Sequence, residues 1–222
     1  MKILKKLIWI NIIGSIIYIL FHSEYLIKML SLKSDITSTL STPWSLITYS
    51  FLHVSIFHLI GNMIALYFLG LIFCSIFGMK KLLSFYLITS IFGGLCTIFI
   101  YSFIDKPMIY GVGSSVVIYG LLVSTAMVKP NLKLDFFITS IKLKWIAIGY
   151  ILIEFLINTN IGHLSGALFG LLYSLYYIHH FQMIKKSPIE SIHKISKDDI
   201  LDKINKRGIK SLSKNELKIL KE

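Results

Sequence analysis

Apolar residues gather into six runs along this chain, at about 6–27, 55–77, 82–103, 114–128, 145–158 and 163–182, with polar connections between them. Each run holds almost no charge. A helix rises about 1.5 Å per residue, so roughly 20 apolar residues cross a hydrocarbon core of about 30 Å. The pattern predicts an all-α membrane protein, a bundle of six transmembrane helices. The fourth run is the exception. Opening at Ser114 and stopped by Lys129-Pro130, it would rise only about 22 Å. The preceding "DKPMIYGVG" is then expected to enter the membrane as irregular backbone, tolerated there when protein buries it or water reaches it. The alternative is a helix starting near Met108 with Gly111 and Gly113 inside it, which two glycines would weaken.

Composition agrees with the pattern: 55% of the 222 residues are hydrophobic, and mean hydropathy is +0.73. The net charge of +12 changes the picture only through its distribution. Lysines cluster at Lys2, Lys5 and Lys6, at Lys80 and Lys81, at Lys129, Lys133, Lys142 and Lys144, and throughout the tail after Lys185. The other connections hold just Lys28, Lys33 and Lys106. Alternate loops are therefore basic, the positive-inside pattern, with both termini cytoplasmic. The basic excess is topological and predicts a lipid bilayer around the chain, not a nucleic-acid partner. Cys74 and Cys96 both lie inside apolar runs and imply no disulfide framework. No small-residue cleavage site follows "IIYILFHSEYL", so the first run is expected to be a retained helix rather than a removed signal peptide.

Residues 1–184 read as the membrane domain and 185–222 as a basic cytoplasmic tail. Within the tail, Ser196 as N-cap with Gly208 past the end, then Ser213 with Glu216 as a capping box, predict two short amphipathic helices. A polybasic tail lying near anionic lipid reads equally well.

Polar side chains inside membrane spans are costly, so each one needs a reason. The second run carries "FLHVSIFHLIGNM", giving His53, His58 and Asn62. His58 and Asn62, four apart, share one helix face. The fourth opens with "GVGSSVVIYGLL", Gly111 to Leu122. The sixth opens with "IGHLSGALFG", placing His163 at its start, while Gly166 and Gly170 offer a small surface for a neighbouring helix. With a cytoplasmic N-terminus, these three runs all begin on the outer side. A hydroxyl, imidazoles and an amide are thus delivered to one stratum of the bilayer. A serine hydroxyl becomes a nucleophile when a neutral histidine takes its proton, and N–H groups at a helix start can face an oxyanion. No carboxylate near these motifs offers itself as a third member. A two-residue pair, its histidine oriented by packing, is the economical reading, and Glu154 is expected to face protein or a wet outer cavity. A zinc site from His53, His58 and His163 lacks acidic ligands and an H-E-x-x-H pattern, so no metal is expected.

The motifs "HVSIFHLIGN", "GSSVVIYG" and "HLSGALFG", in this order, make the chain resemble the rhomboid intramembrane serine proteases over roughly residues 5–182. The resemblance implies a Ser-His dyad of Ser115 and His163 that cleaves peptide bonds in or near transmembrane segments of membrane-protein substrates, without a cofactor. It also implies an oxyanion hole from His58, Asn62 and the Ser115 N–H, with His53 supporting cavity hydrogen bonds and Gly113 in the Gly-x-Ser position. Tyr119 would pack on His163, and Gly166 would allow close helix approach. Trp44, Gly70 and Gly78 match family positions. Tyr119 stands four residues after Ser115, which favours Ser115 over Ser114 as the nucleophile. The family's small residue after the serine is Val116 here, where crowding is expected to slow or narrow activity. Ser45 stands where arginine often follows the tryptophan, and Cys74 where an acid is frequent. A bacterial cytoplasmic membrane is the implied location. The rival reading is a catalytically inactive rhomboid-like protein that binds transmembrane helices as chaperone or adaptor.

Overall fold

A computed structural model describes residues 2–21, 23–104, 110–135, 139–158, 160–185, 197–208 and 211–212. The chain divides into two compact units, Met1–Tyr176 and Tyr177–Glu222. The first unit is mostly helical. Its long helices are α1 (Lys2–Leu20), α5 (Ile56–Phe77), α6 (Met79–Tyr101) and α9 (Ile161–Lys185), which runs on into the second unit. Among the described residues these four contain stretches long and apolar enough to cross a bilayer. The shorter apolar helix α7 (Ser115–Val128) and helix α8 (Leu143–Ile153), extended by a π-helical turn over Glu154–Asn158, complete the set.

Helix α7 sits at the centre. Every residue from Val116 to Ala126 is buried. The outer helices behave in the opposite way: Trp9, Ile13, Phe57, Ile64, Phe68 and Leu152 are all exposed. So much exposed apolar surface suits a helix ring facing hydrocarbon rather than water. Between the helices, Phe73, Phe77, Phe85 and Tyr173 form an aromatic cluster, with Phe73 and Phe85 centroids 4.6 Å apart. Gly70 gives the Leu4 side chain of α1 its seat against α5, since a Cβ there would lie 2.7 Å from Leu4 Cδ1. Gly78, at φ +92°, turns the chain from α5 directly into α6. A side chain would strain that backbone.

The start of α7 falls where the punctuation put it, and the alternative of a helix from Met108 is excluded. Gly113 takes φ +131°, which no helix interior adopts, and the helix begins at Ser115. Tyr110–Gly111 is instead a short strand, β2, paired antiparallel with β1 (Leu32–Lys33). Residues 105–109 of the expected irregular segment, including Lys106, lie outside the described residues.

One expectation needs correction, and two connections hold structure that the hydropathy pattern did not show. The first span does not continue to residue 27. It ends at Leu20, and Ser23 caps a separate helix, α2 (Glu24–Leu30), by accepting the Leu26 N–H. The connection after it is not a plain polar loop. Asp35 caps α3 (Ile36–Ser41), and α4 (Ser45–Thr48) follows, ending in a 3-10 turn over Tyr49–Phe51. Within it the Lys33 ammonium is buried but satisfied, donating to Thr42 Oγ1 at 2.8 Å and to the Ser38 carbonyl at 3.3 Å. Finally, α7 and α8 are joined by a hairpin of β3 (Lys133–Asp135) and β4 (Ser140–Lys142), which the hydropathy pattern did not suggest.

In the second unit, α10 (Lys197–Arg207) is followed by Gly208 at φ +73°, as its sequence suggested. The expected Ser196 cap and the Ser213/Glu216 capping box lie outside the described residues.

Candidate active site

The site begins with a backbone event. Gly113 takes its left-handed conformation with its N–H donated to the Tyr49 carbonyl at 2.9 Å, and this turn delivers Ser114 and Ser115 to the head of α7. A Cβ on Gly113 would stand 3.2 Å from His58 Nε2 and 3.4 Å from Ser115 Oγ. The absent side chain therefore keeps open the space between that imidazole and that hydroxyl. As the first residue of α7, Ser115 has an N–H with no acceptor within its own helix.

Ser115 Oγ lies 2.7 Å from His163 Nε2. His163 belongs to the first turn of α9, where Asn160 caps the helix: its side-chain oxygen accepts the His163 N–H at 3.3 Å. The His163 ring stacks on Tyr119 of α7, with centroids 4.6 Å apart and planes 10° from parallel. Residues 115 and 119 share a helix face, so one turn of α7 presents both the hydroxyl and the platform for its neighbour.

The expectation that no carboxylate reaches this group is wrong. Glu154, 2% exposed in the π-helical turn after α8, places Oε1 2.8 Å from His163 Nδ1. The same oxygen accepts the Tyr119 hydroxyl at 2.9 Å, and Oε2 accepts the Asn160 N–H at 3.3 Å. Glu154 does face protein, but it faces this histidine. The short connection from α8 into α9 returns the chain beside itself, which closes a nine-residue separation that the motifs did not cover. A usable signal was present in the sequence. A glutamate inside an apolar span requires a partner, and a histidine opening the next span is the nearest one.

The remaining expected residues separate into two groups. His58 lines the cavity beside Ser115, together with Gly113, Val116, Thr97 and Tyr101; its volume is about 330 Å³. Asn62 is not among the lining residues, and its amide donates to the His58 carbonyl at 3.0 Å. His53 is fully buried. Its Nδ1 lies 2.8 Å from Ser15 Oγ on α1, and its Nε2 accepts the Ser114 N–H at 3.4 Å. Accepting that N–H leaves His53 Nε2 without a proton, so the ring is neutral. Ser114 Oγ, 3.3 Å from His53 Nε2, is buried and turned away from the cavity. Among the described residues no three His, Cys, Asp or Glu side chains are grouped to share a metal ion.

Two close approaches fix the helices around the site. A Cβ on Gly166 would collide with the Val116 carbonyl oxygen, and one on Gly170 with that of Gly120, so α9 lies directly against the α7 backbone. The unusual Val116 also has a seat, because its Cγ2 occupies the space where Gly93 of α6 lacks a Cβ. Gly93→Ala is expected to cost about 1–3 kcal/mol by overpacking. Thermal unfolding should show most of that loss recovered in Gly93→Ala/Val116→Ala, as a coupled pair requires.

A bundle of apolar helices that encloses polar groups around a cavity defines an integral membrane protein with an internal polar chamber. The chain matches the rhomboid domain over residues 40–180, more than half of its length, and it belongs to the rhomboid family. No curated protein matches it.

Proposed function

We propose that this rhomboid-family protein is an intramembrane serine endopeptidase that cleaves membrane proteins in or beside their transmembrane segments. The observation that carries this reading is the 2.7 Å approach of Ser115 Oγ to His163 Nε2 at the edge of a cavity. A packed structural serine commonly bonds back to its own helix carbonyl, whereas this one meets an imidazole from another helix.

The chemistry follows from that contact. His163 Nε2 takes the proton of Ser115 as Oγ bonds to the scissile carbonyl carbon, whose π electrons move onto oxygen. The resulting oxyanion is met by the His58 side chain and the Ser115 N–H, with Asn62 holding the carbonyl of His58. Collapse breaks the C–N bond, and Nε2 returns the proton to the leaving amine. Water then repeats the sequence on the acyl-enzyme, with His163 again as base. Side chains, backbone and water perform every step, with no cofactor.

In this reading residues 1–184 form a six-crossing domain in which α7 and α8 span with the four longer helices, and residues 185–222 form a basic tail. Both termini face the cytoplasm and the cavity faces the outer side, as the lysine distribution favours. Substrate approaches laterally, past α8 or the first outer connection, and unwinds at Ser115.

Reconstituted protein tested against a panel of single-span membrane proteins decides the matter. Cleavage by wild type but not by His163→Ala supports a protease. His58→Ala is expected to lower kcat by about a hundredfold to a thousandfold, the usual cost of one oxyanion donor. Wild type that cleaves nothing and resists a fluorophosphonate serine probe would favour a non-catalytic binder of transmembrane helices.

A further inference from the structure

Glu154 is the one acidic residue between Asp135 and Glu190, and it is buried. An ionised carboxylate at such a place survives only when donors surround it. Three groups converge on it: the Tyr119 hydroxyl and His163 Nδ1 on Oε1, and the Asn160 N–H on Oε2. Each comes from a different local structure, namely α7, the first turn of α9, and the connection before α9. Glu154 itself sits in a π-helical turn, an irregularity frequent at functional sites.

Two protonation patterns fit the distances, and they have opposite consequences. With Glu154 ionised, Nδ1–H donates to Oε1, Nε2 carries a lone pair, and Ser115 donates its hydroxyl proton to it. With Glu154 protonated, its O–H would donate to Nδ1, leaving Nε2–H facing Ser115, unable to accept a proton. The Tyr119 and Asn160 donors select the first pattern, because both stabilise an acceptor-only carboxylate. We propose that Glu154 is a positioning residue: it fixes His163 as the Nδ1–H tautomer and stabilises the imidazolium formed when Ser115 gives up its proton. The site is then a Ser-His-Glu triad rather than a Ser-His pair. This deepens the protease reading and rests on it for its catalytic consequence, though the tautomer itself does not. Tyr119 alone cannot do the same work, since ring stacking sets the plane of an imidazole but leaves its proton unassigned.

The test uses the full chain in lipid–detergent micelles, with Glu154→Gln and Glu154→Asp beside wild type. Glu154→Gln is expected to lower kcat at least about a hundredfold, with KM within about twofold and the unfolding temperature little changed. A triad acid replaced by its amide leaves the geometry intact but disturbs the tautomer. Glu154→Asp, which restores the charge at shorter reach, should recover part of kcat. Unchanged kcat in Glu154→Gln, where wild type cleaves, overturns the proposal. A second measurement holds even when a variant folds poorly or no substrate is found. In ¹⁵N-histidine-labelled wild type, with His163→Ala assigning the signal, the ring nitrogens should report Nδ1–H. A resting Nε2–H tautomer overturns the proposal. Wild type that carries Nδ1–H yet is inert to substrates and serine probe would sink the protease reading while leaving Glu154 as the residue that sets the ring.

Discussion

Ser115→Ala is expected to abolish cleavage, by a factor on the order of a millionfold if background hydrolysis can be measured, whereas Ser114→Ala retains activity within about tenfold. Removing the nucleophile of a serine hydrolase costs about that much in kcat, leaving what binding and the oxyanion donors supply. The two serines are adjacent and chemically identical, so the contrast tests position alone. Ser115 Oγ lines the cavity and meets His163, whereas Ser114 Oγ is buried beside His53. The same pair of variants under a fluorophosphonate probe should show labelling lost in the first and kept in the second. Labelling that follows Ser114 instead would reassign the nucleophile and remove the basis for placing His163 as its base.

Gly166→Ala is expected to be the most damaging single methyl addition in the bundle. The new carbon would land on the Val116 carbonyl oxygen, which is main chain and has no rotamer through which to yield. The helices must separate, and overpacking of a tight core costs about 1–3 kcal/mol even where side chains can adjust. The functional loss should be larger. Val116 follows Ser115 directly and His163 lies one turn before Gly166, so any outward movement of α9 lengthens the 2.7 Å contact itself. A displacement of about 1 Å at a reacting pair costs on the order of a hundredfold. Gly149→Ala on α8 is the control, since nothing stands within 4 Å of its missing Cβ. Unfolding temperature and probe labelling should both fall in the first variant and hold in the second.

Helix positions were legible in the sequence where punctuation was strong. The start of α7 follows from Gly113 and the two serines, its end from Lys129-Pro130, and α5 lies within a residue of its hydropathy run. The first outer connection was not legible, because its helices are four to seven residues long and are held by caps and packing rather than by periodicity. At the site, the residues carried by local motifs were named directly, and the structure brings Ser115, His163 and His58 around one cavity, with Tyr119 stacked on the His163 ring. Glu154 escaped because its meaning depends on a turn that folds α8 back beside α9. Gly93 escaped for a related reason. It answers a question posed by Val116 on a different helix, and no local pattern connects a glycine in one span to a valine in another.

The matched domain begins at residue 40, yet the hydrogen-bond thread through the serines starts upstream of that border. Ser15 reaches His53, His53 accepts the N–H of Ser114, and Leu4 fills the hollow at Gly70. A fragment trimmed to the family boundary would therefore keep Ser115, His163, His58 and Glu154 and lose the brace behind them. In this chain the leading helix is a keystone of the arch, although the domain description leaves it outside.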